Sequence, residues 1–150
     1  MQERSHVCLA SHPKSRPHAS ALIEVSGKPM VVQAANCLPK AEHKIFVTLK
    51  EHNQKYSIHK ILRDEFKNSS VISLTKVSKG QAVTCSLGLK NVDINSSLLI
   101  ASSDNSIIYN HKKYKQLVDN RSVDAIIYTF RNHASSKKYP KMYGWVKIDK

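Results

Sequence analysis

Glycine is scarce in this chain: Gly27, Gly80, Gly88 and Gly144 are the only four among 150 residues. Their spacing excludes both GxxxxGK(S/T) and GxGxxG, so the common P-loop kinases and dinucleotide enzymes are excluded with them. Cysteine is nearly as sparse. Cys8, Cys37 and Cys85 are odd in number, far apart and without a CxxC pair, which argues against a disulfide framework or a zinc knuckle. A reducing, cytoplasmic setting is the expectation. Long apolar runs are missing too: nothing approaches the roughly 18 residues of a membrane span, and the run after His6 is only about four residues. Neither a span nor a signal peptide is expected. Acids are few, 11 against 24 Lys and Arg, giving a formal charge of +13. That balance selects anionic partners: nucleotides, sugar phosphates, nucleic acid or an anionic membrane surface.

Two further catalytic patterns are absent. The eight histidines, His6, His12, His18, His43, His52, His59, His111 and His133, form no HExxH and no i, i+4 pair on a predicted helix. No GxSxG turn presents a nucleophilic serine, so hydrolase chemistry has little support.

What is present reads as one domain spanning residues 1–150, a length that buries a single core. Val7-Cys8-Leu9-Ala10 is a short buried strand, followed by a basic loop, Ser11-His12-Pro13-Lys14-Ser15-Arg16-Pro17-His18. Ser26-Gly27-Lys28-Pro29 is a turn with proline at the first helical position. Val31, Ala34, Ala35 and Leu38 then keep helical spacing until Pro39. Lys44 to Leu49 is β-rich, and Ile58, Ile61, Leu62 and Phe66 line one face of a helix from Asn53 to Lys67. Val71 to Leu74 is a strand, Gly80 opens a helix reaching near Lys90, and Leu98 to Ala101 is another strand. Tyr114, Leu117 and Val118 mark a further helix, and strands are expected at Asp124 to Phe130 and Gly144 to Ile148. Strands alternating with helices predict a three-layer α/β domain with a largely parallel sheet.

The apolar run Leu98-Leu99-Ile100-Ala101 ends in Ser102-Ser103-Asp104-Asn105. Ligands bind at the carboxyl ends of parallel strands, so this strand delivers an acid to a ligand edge, with the glycine-opened helix upstream. An Asx turn closing the strand is the alternative use of Asp104 and Asn105. Gly80 has its own alternative, as a helix N-cap.

Taken in order, Leu9-Ala10, Ala21-Leu22-Ile23-Glu24-Val25-Ser26-Gly27-Lys28-Pro29-Met30, Gly80-Gln81-Ala82, Leu99-Ile100-Ala101-Ser102-Ser103-Asp104 and Tyr143-Gly144 resemble the sugar-nucleotide pyrophosphorylase family of nucleotidyltransferases. The resemblance implies a Rossmann-like fold of the GT-A type. It also implies a reaction in which a sugar 1-phosphate, or a similar phosphorylated acceptor, attacks the α-phosphate of a nucleoside triphosphate and releases pyrophosphate. On that resemblance Asp104 holds Mg²⁺, a hard cation suited to carboxylate oxygen. Leu9, Ala10, Gly80, Gln81 and Ser103 contact the nucleotide, and Gly144 lies on the acceptor side.

The pattern departs from the family in two places. The first loop has no glycine, and Ser20-Ala21 stand where the family commonly has Lys-Pro; Lys14 and Arg16 are the cations left to reach the phosphates. Family members also continue beyond the position of Lys150, with a Glu-Lys pair and a second aspartate. The resemblance therefore implies an amino-terminal portion of the fold, incomplete, with an unpaired strand that favours association into a homo-oligomer.

Three alternatives remain. One is an inactive remnant that binds nucleotide without turnover. A glycosyltransferase of related fold is another, although Ser102 replaces the first acid of the usual Asp-x-Asp. A basic nucleic-acid-binding module is the third: ten Lys or Arg face three acids from His111 onward, with Tyr139, Tyr143 and Trp145 among them. No recognition helix or ribonucleoprotein signature accompanies that charge, and strand packing is the commoner use of such rings.

Overall fold

Apolar and β-branched runs become strands because they fit a pleated surface covered on both sides. The computed structural model describes residues 5–10 and 20–148, which divide into two units, one ending at Ile108 and one beginning at Tyr109. The first unit contains β1 (Ser5–Ala10), a hairpin of β2 (Glu24–Val25) and β3 (Lys28–Pro29), α1 (Met30–Asn36), β4 (His43–Leu49), α2 (Lys50–Tyr56), α3 (Ile58–Glu65), β5 (Ser69–Leu74), α4 (Gln81–Gly88) and β6 (Ser97–Ser102). Four of these strands form a parallel sheet in the order β5-β4-β1-β6. This is a mixed α/β unit with helices on both faces, an arrangement compatible with a Rossmann-like fold.

The side-chain alternation of β1 divides the core. Val7 and Leu9 join Phe46, Val31, Val32, Ala35, Ile58, Leu62 and Phe66 on the face covered by α1 and α3. Cys8 and Ala10 join Ile45, Val47 and Cys85 on the face covered by α4. Each large side chain removed from water in this way contributes about 1.5–3 kcal/mol, and Phe46, Leu9, Ile58 and Leu62 are nearly inaccessible.

Local chemistry sets the connections. Ser26 (φ 49°) and Gly27 (φ 78°) take the two left-handed positions that a tight hairpin requires. Pro29 is the N-cap of α1, one residue before the first helical position expected for it. The single helix expected from Asn53 to Lys67 is two, divided at Ser57, whose backbone is left-handed (φ 52°). Only α3 has buried apolar residues to hold it on the sheet, and Asn53 Oδ1 accepts the His59 N–H at 3.2 Å, terminating one helix and starting the other.

The second unit holds α5 (His111–Val118), α6 (Ala134–Lys138) and a 3₁₀ turn at Pro140–Met142. The Asn110 side chain caps α5 by accepting the Lys113 N–H at 2.9 Å. Tyr109, Tyr114 and Tyr128 gather their rings, with centroids 5.4 and 6.2 Å from Tyr109. The strands expected at Asp124 to Phe130 and Gly144 to Ile148 do not form: neither segment belongs to a ladder among the described residues. A strand needs a partner for its main-chain groups, and β-propensity reports only the fit of side chains to such a surface. No helix among the described residues is long and apolar enough to cross a membrane.

Candidate functional site

The order of the sheet defines the site. From β1 the chain adds β4 and then β5 on one side, and after α4 it returns to place β6 on the other side of β1. The direction of winding therefore reverses between β1 and β6, the place beyond whose carboxyl ends open α/β sheets generally bind their ligands. The two strands end together, because Ala10 pairs with Ser102 and Leu9 with Ala101. Ser103 and Asp104 follow immediately in a turn.

Ser103 is buried and Asp104 is exposed. The Ser102 hydroxyl donates to Asp104 Oδ1, which orients the carboxylate and leaves Oδ2 and the remaining lone pairs for a ligand. Leu9 and Ala10 are fully buried, their side chains in the cores on opposite faces, so what they offer a ligand is main chain at the strand end.

Gly80 and Gln81 lie where the chain leaves β5 and enters α4, the helix packed on β1 and β4. Gly80 is the N-cap, as its alternative reading expected, and a side chain there would meet nothing within 4 Å. The Gly80 carbonyl accepts from Ser78 Oγ at 2.8 Å and from Thr84 Oγ1 at 3.1 Å, and those two hydroxyls lie 2.5 Å apart. Two hydroxyl protons can fill only two of these three contacts at once, so the two hydroxyls share the carbonyl and each other and tie the loop to the first turn of the helix. The N–H groups at the start of α4 have no partner within the helix, as at any helix start. Gln81 is half-buried beside them. Sequence reasoning missed Ser78 and Thr84; the S-x-G-x-x-x-T spacing was the available signal.

A second polar group lies nearer the other edge. His59 Nε2 is 2.9 Å from Ser73 Oγ and 3.4 Å from Thr48 Oγ1, at the carboxyl ends of β5 and β4. Burial, and then the Arg63 charge, hold His59 below its ordinary pKa, so its neutral ring ties α3 to the sheet. In the core, Cys8 and Cys85 pair: the hydrogen bond between them, with burial, pushes the Cys8 thiol up. All three cysteines are free.

Lys14 and Arg16 fall in residues 11–19 and lie outside the described residues. Gly144 belongs to the second unit, where it is exposed, and a Cβ added there would meet no atom within 4 Å. Among the described residues no three His, Cys, Asp or Glu side chains gather closely enough to hold a metal ion. The donors beside Asp104 are one carboxylate and serine oxygens, a hard set that suits Mg²⁺ carried by a polyphosphate, with water completing the shell. No protein-family model matches the chain, and no curated protein matches it.

Proposed function

We propose that the carboxyl edge of this sheet binds a nucleoside triphosphate with Mg²⁺ and transfers its nucleoside monophosphate to a sugar 1-phosphate or a similar phosphorylated acceptor. The fold is then that of a GT-A-type nucleotidyltransferase domain, working in the cytoplasm. One observation carries the reading: Asp104 stands beyond β6, beside the end of β1, where the winding of the sheet reverses. The ordered motifs of the sequence add to it, since three of the four glycines fall on positions that resemble the pyrophosphorylase pattern.

In this mechanism an acceptor phosphate oxygen attacks the α-phosphorus, and the bond from that phosphorus to the pyrophosphate oxygen breaks. Both reactants are polyanions, so positioning and charge neutralisation are the protein's contribution. Mg²⁺ supplies neutralisation of the phosphate charge when bound. Asp104, oriented by Ser102, is the residue that would hold it. The main chain at Ala10 and Gly80 lets the nucleotide approach, and the Gln81 amide matches a base edge with one donor group and one acceptor. Lys14 and Arg16 stand in for the cations of the family's first loop, long side chains that tolerate displacement.

The second reading, nucleotide binding without turnover, is favoured by one observation: the first loop has no glycine, and Ser20-Ala21 stand where the family it resembles commonly has Lys-Pro. Pyrophosphate release separates the two. The full chain is incubated with Mg²⁺, each common nucleoside triphosphate and a panel of sugar 1-phosphates. Release that depends on the acceptor is expected, and its loss in Asp104→Asn ties it to this site. Binding with no release under any pairing selects the remnant and rejects catalysis.

A further inference from the structure

Between Asp124 and Asp149 the chain has no acid, while Arg131, Lys137, Lys138, Lys141 and Lys147 all carry positive charge. The same stretch leaves large rings open to solvent: Phe130 is 60% exposed, Tyr139 50% and Trp145 69%. Rings of this size normally supply the greater part of a packed core, and a sheet would be their usual place. The sheet segments expected here do not form, so that use is unavailable to them.

The rings are held without being covered. Trp145 Nε1 donates to the Pro140 carbonyl at 2.9 Å, anchoring the indole by its polar edge. The Phe130 ring meets His133 and Tyr143 at centroid distances of 5.2 and 5.9 Å, both edge-on. Lys138 Nζ lies 5.3 Å from the Tyr139 ring centroid, adding a cation to an aromatic face. Anchored rings with exposed surface, interleaved with cations and free of acids, form a stacking platform inside a positive field.

We propose that this segment of the second unit, Phe130 to Lys147, binds single-stranded nucleic acid. Bases stack on Phe130, Tyr139 and Trp145, and the five cations neutralise phosphates, so recognition follows the strand rather than its sequence. Duplexes are disfavoured because their base faces are already stacked. An anionic lipid surface fits less well, because α6 has five residues and the rings and lysines alternate along the chain rather than dividing a long helix into two faces. The inference uses the charge and rings of the second unit alone and is independent of the nucleotide reading.

The test uses the full chain with a fluorescein-labelled single-stranded oligodeoxythymidylate, read by anisotropy, and the fluorescence of Trp145, the one tryptophan. Expected are saturable binding, quenching of Trp145, and a log–log salt slope of about −3.5 if all five cations engage at roughly −0.7 per phosphate. Phe130→Ala with Tyr139→Ala should weaken binding by about tenfold or more, and Tyr139→Phe should retain it. The quenching needs no variant, so a poorly folded alanine variant does not remove the test. Equal affinity for duplex, wild-type affinity in the alanine variant, an unquenched Trp145, or binding only to phosphatidylserine vesicles would each overturn the proposal.

Discussion

His43 and His59 are the described histidines whose pKa the fold lowers. Burial, then the neighbouring His6, lowers the pKa of His43, whose Nε2 sits 2.8 Å from Ser70 Oγ and whose ring lies 6.0 Å from that of His6. Burial, then Arg63, lowers that of His59. Both titrate near about 6.5 in the unfolded chain, so the unfolded state binds more protons as the medium turns acid. Stability present above about pH 6.5 is therefore lost as pH falls through the folded values. Urea unfolding should give a lower midpoint at about pH 5.5 than at about pH 7.5, with His43→Gln and His59→Gln together reducing the difference. An equal or higher midpoint in acid would contradict the assignment. Asp104 is exposed and accepts a hydrogen bond from Ser102, so it can be replaced without loss of packing and its variants report on ligands.

At the scale of elements, α4 is held at a close approach. A Cβ on Gly88 would fall 2.5 Å from Val47 Cγ2 and 3.7 Å from Cys8 Sγ, so the helix rests almost directly on β4. Gly88→Ala gains helix propensity but must displace α4 or the Val47 methyl, and overpacking of this kind costs about 1–3 kcal/mol. A lower unfolding midpoint is expected, and, on the proposed function, weaker nucleotide binding because Gly80 and Gln81 begin the same helix; an unchanged midpoint would show that the contact is slack. The strands β1, β4, β5 and β6 were legible in the sequence because Val7 to Ala10, Ile45 to Leu49, Val71 to Leu74 and Leu98 to Ala101 are compact apolar runs bounded by turns. The break at Ser57 was not, since nothing in a lone serine announces a left-handed backbone. Asp124 to Phe130 and Gly144 to Ile148 misled for a different reason: their composition reports what a strand would bury, and pairing depends on partners that composition does not name. Asp104 was legible as the acid after an apolar run, although that run forms an edge strand with Leu98 42% and Ile100 51% exposed rather than the buried strand its composition predicts, whereas the contacts among Ser78, Gly80 and Thr84 follow a loop path that their spacing hints at and does not fix.

For the whole molecule, a net charge of +13 favours anionic ligands in general, and the parallel sheet with one reversal offers the proposed nucleotide a place to bind. The charge acts at long range and is screened by salt, so it bears on encounter rates, while in the proposed function Asp104 and the start of α4 select the ligand that stays. Homo-oligomer formation has to overcome the repulsion between two such charged chains. The most direct measurement is isothermal titration calorimetry of the full chain with each common nucleoside triphosphate, with and without Mg²⁺, for the natural sequence and for Asp104→Asn. The expected result is saturable one-to-one binding of at least one triphosphate that Mg²⁺ tightens, with the Mg²⁺-dependent gain lost in Asp104→Asn. Absence of binding by every triphosphate, or an Asp104→Asn variant that keeps the full Mg²⁺ effect, would contradict a nucleotide site at the reversal point of this sheet.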